Sequence, residues 1–141
     1  MIQILNQQKR YWINRRKFKS LMHRLVEHYK LDDPEISLVF VGTRTIKRLN
    51  RMYLKKDAPT DVLSFPLGET GPDGTFYLGD IVISVPQAFK QCFSKDHGLE
   101  RELEILTIHG FLHLLGFEHL KGMEEEEDKI RKLIWEDNNG N

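Results

Sequence analysis

The segment His109-Gly110-Phe111-Leu112-His113-Leu114-Leu115-Gly116-Phe117-Glu118-His119 constrains the fold more than any other part of the chain. On a helix, His109 and His113 lie one turn apart, about 6 Å along the axis, and share a face. Gly116 is the expected helix stop, because a glycine there lets the chain reverse. The reversal allows His119 to return to the point that the first two imidazoles face. Three converging nitrogens with a fourth position left to water make a metal site of the open, catalytic kind. The competing reading is a set of histidines satisfied by hydrogen bonds in a crowded core. The three-part spacing and the small residues Gly110 and Gly116 favour the metal. Imidazole ligands suit zinc first, with nickel, copper or iron as other choices.

The spacing matches the zinc-protease pattern His-Glu-x-x-His-x-x-Gly-x-x-His at every histidine and at Gly116. Its second position, where a peptidase keeps its general-base Glu, is Gly110. The metal cradle is therefore present without the usual peptidase base. A bound ion would bring a water pKa down to about 7 and polarise the attacked group. Glu118, beside His119, is either a proton carrier for that step or a plain solvated carboxylate.

The chain has 141 residues, enough for one domain, 1–141, with its own core. No apolar run reaches the roughly 20 residues of a membrane span, and the start does not read as a signal peptide. Cys92 is the single cysteine, so no internal disulfide is expected and a cytoplasmic location is the default. The net charge of zero hides an asymmetry. Residues 1–56 hold 14 Lys/Arg against 4 Asp/Glu, or +10, and residues 57–141 hold 7 against 17, or −10. A basic half suits a phosphate-rich partner. Alternatively, the two halves neutralise each other in the fold.

Four apolar runs read as strands: Ile2 to Leu5, Ile36 to Val41, Val62 to Pro66 with the proline closing it, and Leu78 to Ser84. Helical spacing marks Asn14 to Tyr29, a helix N-capped by Thr43, Ser84 to about Phe93 behind a capping box, about 98–115, and Glu124 to Trp135. Gly68 to Gly74 is a turn-rich loop. The order implies an α+β domain: about four strands in a mixed sheet, packed by about five helices, with a zincin-like metal helix.

Several other residues invite a role. Thr60, Asp61 and Ser64 can line a cleft, although a structural role is the favoured reading of Asp61, as a turn cap, and of Ser64. Asp80, in an apolar strand, either holds a cleft residue or sits at an exposed strand edge. The run Glu124 to Asp128 reads as a solvated helix start. Trp12 and Trp135 read as core or interface residues, and His23, His28 and His97 as surface residues. Cys92 reads as a small buried side chain.

At the histidine segment the chain resembles the YbeY family of metal-dependent endoribonucleases, whose signature is H-G-x-L-H-L-x-G-[YF]-D-H. Glu118 stands here for the usual Asp. Two further blocks agree in order and spacing: Pro59-Thr60-Asp61-Val62-Leu63-Ser64-Phe65-Pro66, and Leu78-Gly79-Asp80-Ile81-Val82-Ile83-Ser84. The resemblance covers about residues 35–120. It implies a zinc ion on His109, His113 and His119, one per chain. It implies single-strand-specific cleavage of RNA in late ribosomal RNA processing, at the 3′ end of the 16S rRNA, with ribosomal RNA and the small subunit as partners. Family members often carry an RNA-contacting arginine where this chain has Leu54, so Arg51, Lys55 or Lys56 is expected to take over the phosphate contact. A lysine cannot reproduce the two-pronged grip of a guanidinium. Two other classes stay open: a zinc peptidase-like hydrolase, which Gly110 opposes, and a non-catalytic ribosome-associated factor whose metal site is closed.

Overall fold

The apolar, β-branched runs of the chain pair into one sheet. In the computed structural model, which describes residues 1–118 and 122–139, the last three as backbone only, there are four strands. They are β1 (Ile2–Asn6), β2 (Glu35–Val41), β3 (Val62–Thr70) and β4 (Phe76–Ser84), in spatial order β1-β2-β4-β3. The pairs β1–β2 and β2–β4 are parallel, whereas β3 runs antiparallel to β4. Five helices accompany them: α1 (Arg15–His28), α2 (Thr43–Leu54), α3 (Val85–Cys92), α4 (Leu99–Leu114) and α5 (Met123–Asn139). The expected α+β class and mixed four-stranded sheet are what forms.

Strand alternation divides the core in two. Ile36, Leu38, Phe40, Ile81 and Ile83 point to one face and are buried with Phe18, Met22 and Leu25 of α1, Ile108 and Phe111 of α4, and Ile130 of α5. Val41, Leu63 and Val82 point to the other face, where Ile46 of α2 covers them. Each large side chain removed from water in this way contributes about 1.5–3 kcal/mol before entropy is counted. The α4 helix is central: it rests on β3 and β4 and is itself flanked by α1, α3 and α5.

Local chemistry explains most boundaries. The Asn14 side chain accepts from Lys17 N at 3.3 Å at the start of α1, and Ser84 accepts from Gln87 N at 3.3 Å ahead of Pro86 in α3. Two expectations need correction. Thr43 is the first helical residue of α2 and not its cap; the extended Gly42 takes that place, its carbonyl accepting from Ile46 N at 3.2 Å. Pro66 does not close β3, which continues to Thr70. A proline is tolerated because β3 is the sheet edge, where a missing N–H breaks no ladder bond. The register slips just after it, between Pro66 and Glu69. Gly68 to Gly74 therefore holds both the end of β3 and the turn to β4.

Candidate metal centre

The second half of α4 carries His109 and His113 over the β3–β4 hairpin. Their Nε2 atoms are 3.0 Å apart, and their rings meet edge to face. Two nitrogens bound at about 2.0–2.1 Å to one tetrahedral ion would stand about 3.3 Å apart, so the observed pair already faces one point. Both rings line a cleft of about 310 Å³ whose other walls are Leu54, Val62, Leu63, Ser64 and Pro66.

Gly110 sets how closely α4 approaches the sheet. A Cβ there would stand 2.6 Å from Ile81 Cγ2 and 3.2 Å from Ser64 Oγ. A side chain fits there only if Ile81 shifts, so packing as well as identity speaks against a peptidase-type glutamate at this position. Ser64 completes the joint by donating its hydroxyl to the Gly110 carbonyl at 3.1 Å. It is thus both a cleft residue and a tie between strand and metal helix.

The helix ends as the sequence implies. Gly116 adopts φ +95°. Its N–H reaches His113 O at 3.0 Å, and Phe117 N–H reaches Leu112 O at 3.1 Å. That bond pair is a Schellman reversal, which turns the chain back after His113. Glu118 follows, exposed. His119 lies outside the described residues. The structure therefore brings two of the three expected ligands together, and among the described residues no group of three metal-capable side chains is gathered.

A carboxylate that the sequence reading missed completes the described site. Glu127 of α5 contacts Nδ1 of His109 and is itself met by Arg131 Nη2 at 3.4 Å. Its neighbour Glu126 accepts from the Tyr29 hydroxyl at 2.9 Å; burial first, then the Glu126 carboxylate, pushes the Tyr29 pKa up. The run Glu124 to Asp128 is therefore not wholly a solvated helix start, since Glu126 and Glu127 turn inward. The signal was present: both stand three or four residues from the buried Met123 and Ile130, on the same helix face.

The remaining expectations fall on both sides. Arg51, Lys55 and Lys56 are exposed around the C-terminal end of α2, while Leu54 between them forms cleft wall. Arg51 is 3.9 Å from Asp57. Asp61 is structural as expected: its main-chain carbonyl takes Ser84 N–H at 2.9 Å, and its carboxylate takes Gln91 Nε2 at 3.2 Å. Asp80 is neither at a sheet edge nor in the metal cleft. It is exposed in an interior strand, on the α2 side of the sheet, where it accepts from its cross-strand partner Ser37. Trp12 is not core but 82% exposed. Trp135 packs under Arg101 and donates to Glu104 at 3.1 Å. His23 and His28 are exposed as read, but His97 bonds the fully buried Glu102 at 2.7 Å. Cys92 is buried, donating to Phe89 O.

The chain is similar to known proteins over most of its length. A family model described as endoribonuclease YbeY matches residues 3–136. Curated proteins named endoribonuclease YbeY are similar over most of the chain. The one from Oceanobacillus iheyensis is 50% identical over 106 residues, covering 70% of this chain and 68% of that protein. The one from Moorella thermoacetica is 53% identical over 95 residues, covering 62% and 61%. The one from Halalkalibacterium halodurans is 44% identical over 123 residues, covering 79% and 76%. The matches thus span about three fifths to three quarters of these relatives. A Thermotoga maritima protein solved in solution superposes with a TM-score of 0.66 at 28% identity, covering 99% of this chain and 93% of that one.

Proposed function

The chain belongs to the YbeY family of endoribonucleases, and from that premise we propose that it cleaves single-stranded ribosomal RNA at a zinc site held by His109, His113 and His119. The observation that carries this reading is the 3.0 Å approach of the two Nε2 atoms on the wall of an open cleft. The donor set fits the ion: neutral imidazoles are borderline ligands suited to zinc. When bound, the ion supplies Lewis acidity at a phosphodiester and allows water to attack near neutral pH.

The chain's own residues do the rest. His109 and His113 present Nε2 toward one point, and the Ser64–Gly110 bond fixes their height above the sheet. Leu54, Val62 and Pro66 give the cleft apolar walls. Arg51, Lys55 and Lys56, exposed around the end of α2, are the candidate contacts for backbone phosphates. Glu118, one residue before His119, is the candidate proton carrier. Late ribosomal RNA processing, at the 3′ end of the 16S rRNA and with the small subunit as partner, completes the reading, and a cytoplasmic location accords with it. No helix among the described residues is long and apolar enough to cross a membrane.

Metal analysis of the purified protein, paired with RNA cleavage with and without chelator, tests the proposal. Zinc near one ion per chain and chelator-sensitive cleavage are expected. His113→Ala is expected to lose both while keeping the wild-type circular dichroism spectrum. Full cleavage by metal-free protein would overturn the mechanism, and cleavage of a peptide library by zinc-loaded protein would revive the peptidase alternative.

A further inference from the structure

We propose that Glu127, steadied by Arg131, is the positioning residue that fixes the imidazole tautomer of His109. The inference rests on the metal reading above and adds a residue to it from a different element, α5.

An ionised carboxylate can only accept hydrogen bonds. The Glu127 contact with His109 Nδ1 therefore requires the proton of a neutral imidazole to sit on Nδ1. Nε2 then offers its lone pair, and Nε2 is the atom that faces His113 Nε2 at 3.0 Å. A carboxylate behind a ligating imidazole fixes ring orientation and raises ligand basicity. The pair is well placed to do so, because both side chains are largely withdrawn from water: His109 is 21% and Glu127 13% exposed. Arg131, one helical turn beyond Glu127, holds the second carboxylate oxygen at 3.4 Å. The carboxylate is thereby aimed from behind as well as from in front.

The arrangement also explains why α5 is packed where it is. Met123 and Ile130 bury the same helix face from which Glu127 projects. Docking of that face against α4 therefore delivers the carboxylate to His109. Adjacent Glu126 makes a separate tether to Tyr29 of α1. This supplies a control, because Glu126 anchors α5 without touching the imidazole pair.

Nitrogen-15 imidazole spectra of the full-length, metal-free chain, recorded above the histidine titration range, test the assignment directly. Wild-type His109 is expected as the Nδ1–H tautomer. Glu127→Leu is expected to shift it toward Nε2–H and to weaken zinc binding by about 10–100-fold in chelator competition. Glu127→Gln, whose carbonyl still accepts, should restore the tautomer and most of the affinity. Glu126→Gln should lower thermal stability yet leave tautomer and affinity unchanged, which separates positioning from simple anchoring. A wild-type His109 carrying its proton on Nε2 overturns the proposal without any variant, as does an unshifted tautomer in a folded Glu127→Leu. Failure of wild-type protein to bind zinc would instead sink the metal reading and leave the tautomer result to decide the role of Glu127.

Discussion

Gly110 shows how one missing side chain can govern both packing and chemistry. Its α-carbon brings α4 against Ile81, which is fully buried and has nowhere to retreat. Adding a methyl group at 2.6 Å from Ile81 Cγ2 is overpacking, which typically costs about 1–3 kcal/mol. Alanine recovers up to about 1 kcal/mol of helix propensity, so the net expectation for Gly110→Ala is a loss of about 1–2 kcal/mol. Urea unfolding would read this as a lower midpoint with an unchanged slope. Zinc affinity should fall as well, because the helix would ride higher at the turn that carries His109 and His113. A stabilised variant would mean that Ile81 moves freely, and the tight strand–helix joint would then have no part in setting the site. From sequence alone Gly110 could be read only by what it lacks, a protease glutamate. The reason for the lack appears once Ile81 and Ser64 are seen beneath it.

Most of the elements were legible because their signals are local. The apolar spacing of α4 and the stop at Gly116 are written in consecutive residues, as are the caps of α1 and α3. What stayed hidden was contact between elements distant in sequence. Nothing near His109 announces Glu127, 18 residues away. Pro66 misled for a related reason, since whether a proline ends a strand depends on whether that strand is an edge. The Glu102 joint also carries a pH prediction. Burial alone raises its pKa, but hydrogen bonds from His97, Lys95 and Gln91, with the Lys95 charge, outweigh burial and hold it below the usual carboxylate value. A folded pKa below the unfolded one stabilises the fold above the ordinary value of about 4.3, and that contribution is lost as pH falls through the lower folded value. Gln91 also bonds Asp61, so the joint links α3, α4 and the start of β3. Lys95 is half exposed, and its Coulombic share is correspondingly small. Glu102→Gln is expected to lower unfolding free energy at pH 7 by about 1–2 kcal/mol. The gap from wild type should narrow by pH 3 in denaturant titrations. An equal gap at both values would show that the joint contributes packing and no charge.

At the scale of the molecule, the fold shows helix by helix how far the charge asymmetry is neutralised. On α1, the basic charge is partly met by the acidic half: Lys17 bonds Glu100 at 2.8 Å and lies 3.5 Å from Glu104. These carboxylates hold its pKa above the ordinary lysine value, the Glu100 hydrogen bond contributing most. On α2 the position differs. Asp57 stands 4.0 Å from Lys47 and 3.9 Å from Arg51, and among the described residues no ion pair holds Arg44, Arg48, Lys55 or Lys56. The α2 helix also ends at Leu54, on the wall of the histidine cleft. Among the described residues no ion pair holds Arg15, Arg16 or Lys19 of α1 either, so unpaired cations remain on both helices, and Lys55 and Lys56 are the ones that adjoin a cleft residue, Leu54. RNA binding should carry the signature of phosphate neutralisation, a linear fall of log affinity with log salt of about 0.7 per contacted phosphate for a single strand. Lys55→Gln with Lys56→Gln is expected to weaken binding of unrelated single-stranded RNAs by a similar factor and to flatten that slope by about 1–2. Lys9→Gln, on the loop after β1, should change the slope little. Fluorescence anisotropy across a salt series would measure both variants. An equal effect from the two would mean that the whole basic half meets RNA, whereas no effect from the pair would place the phosphate path away from α2.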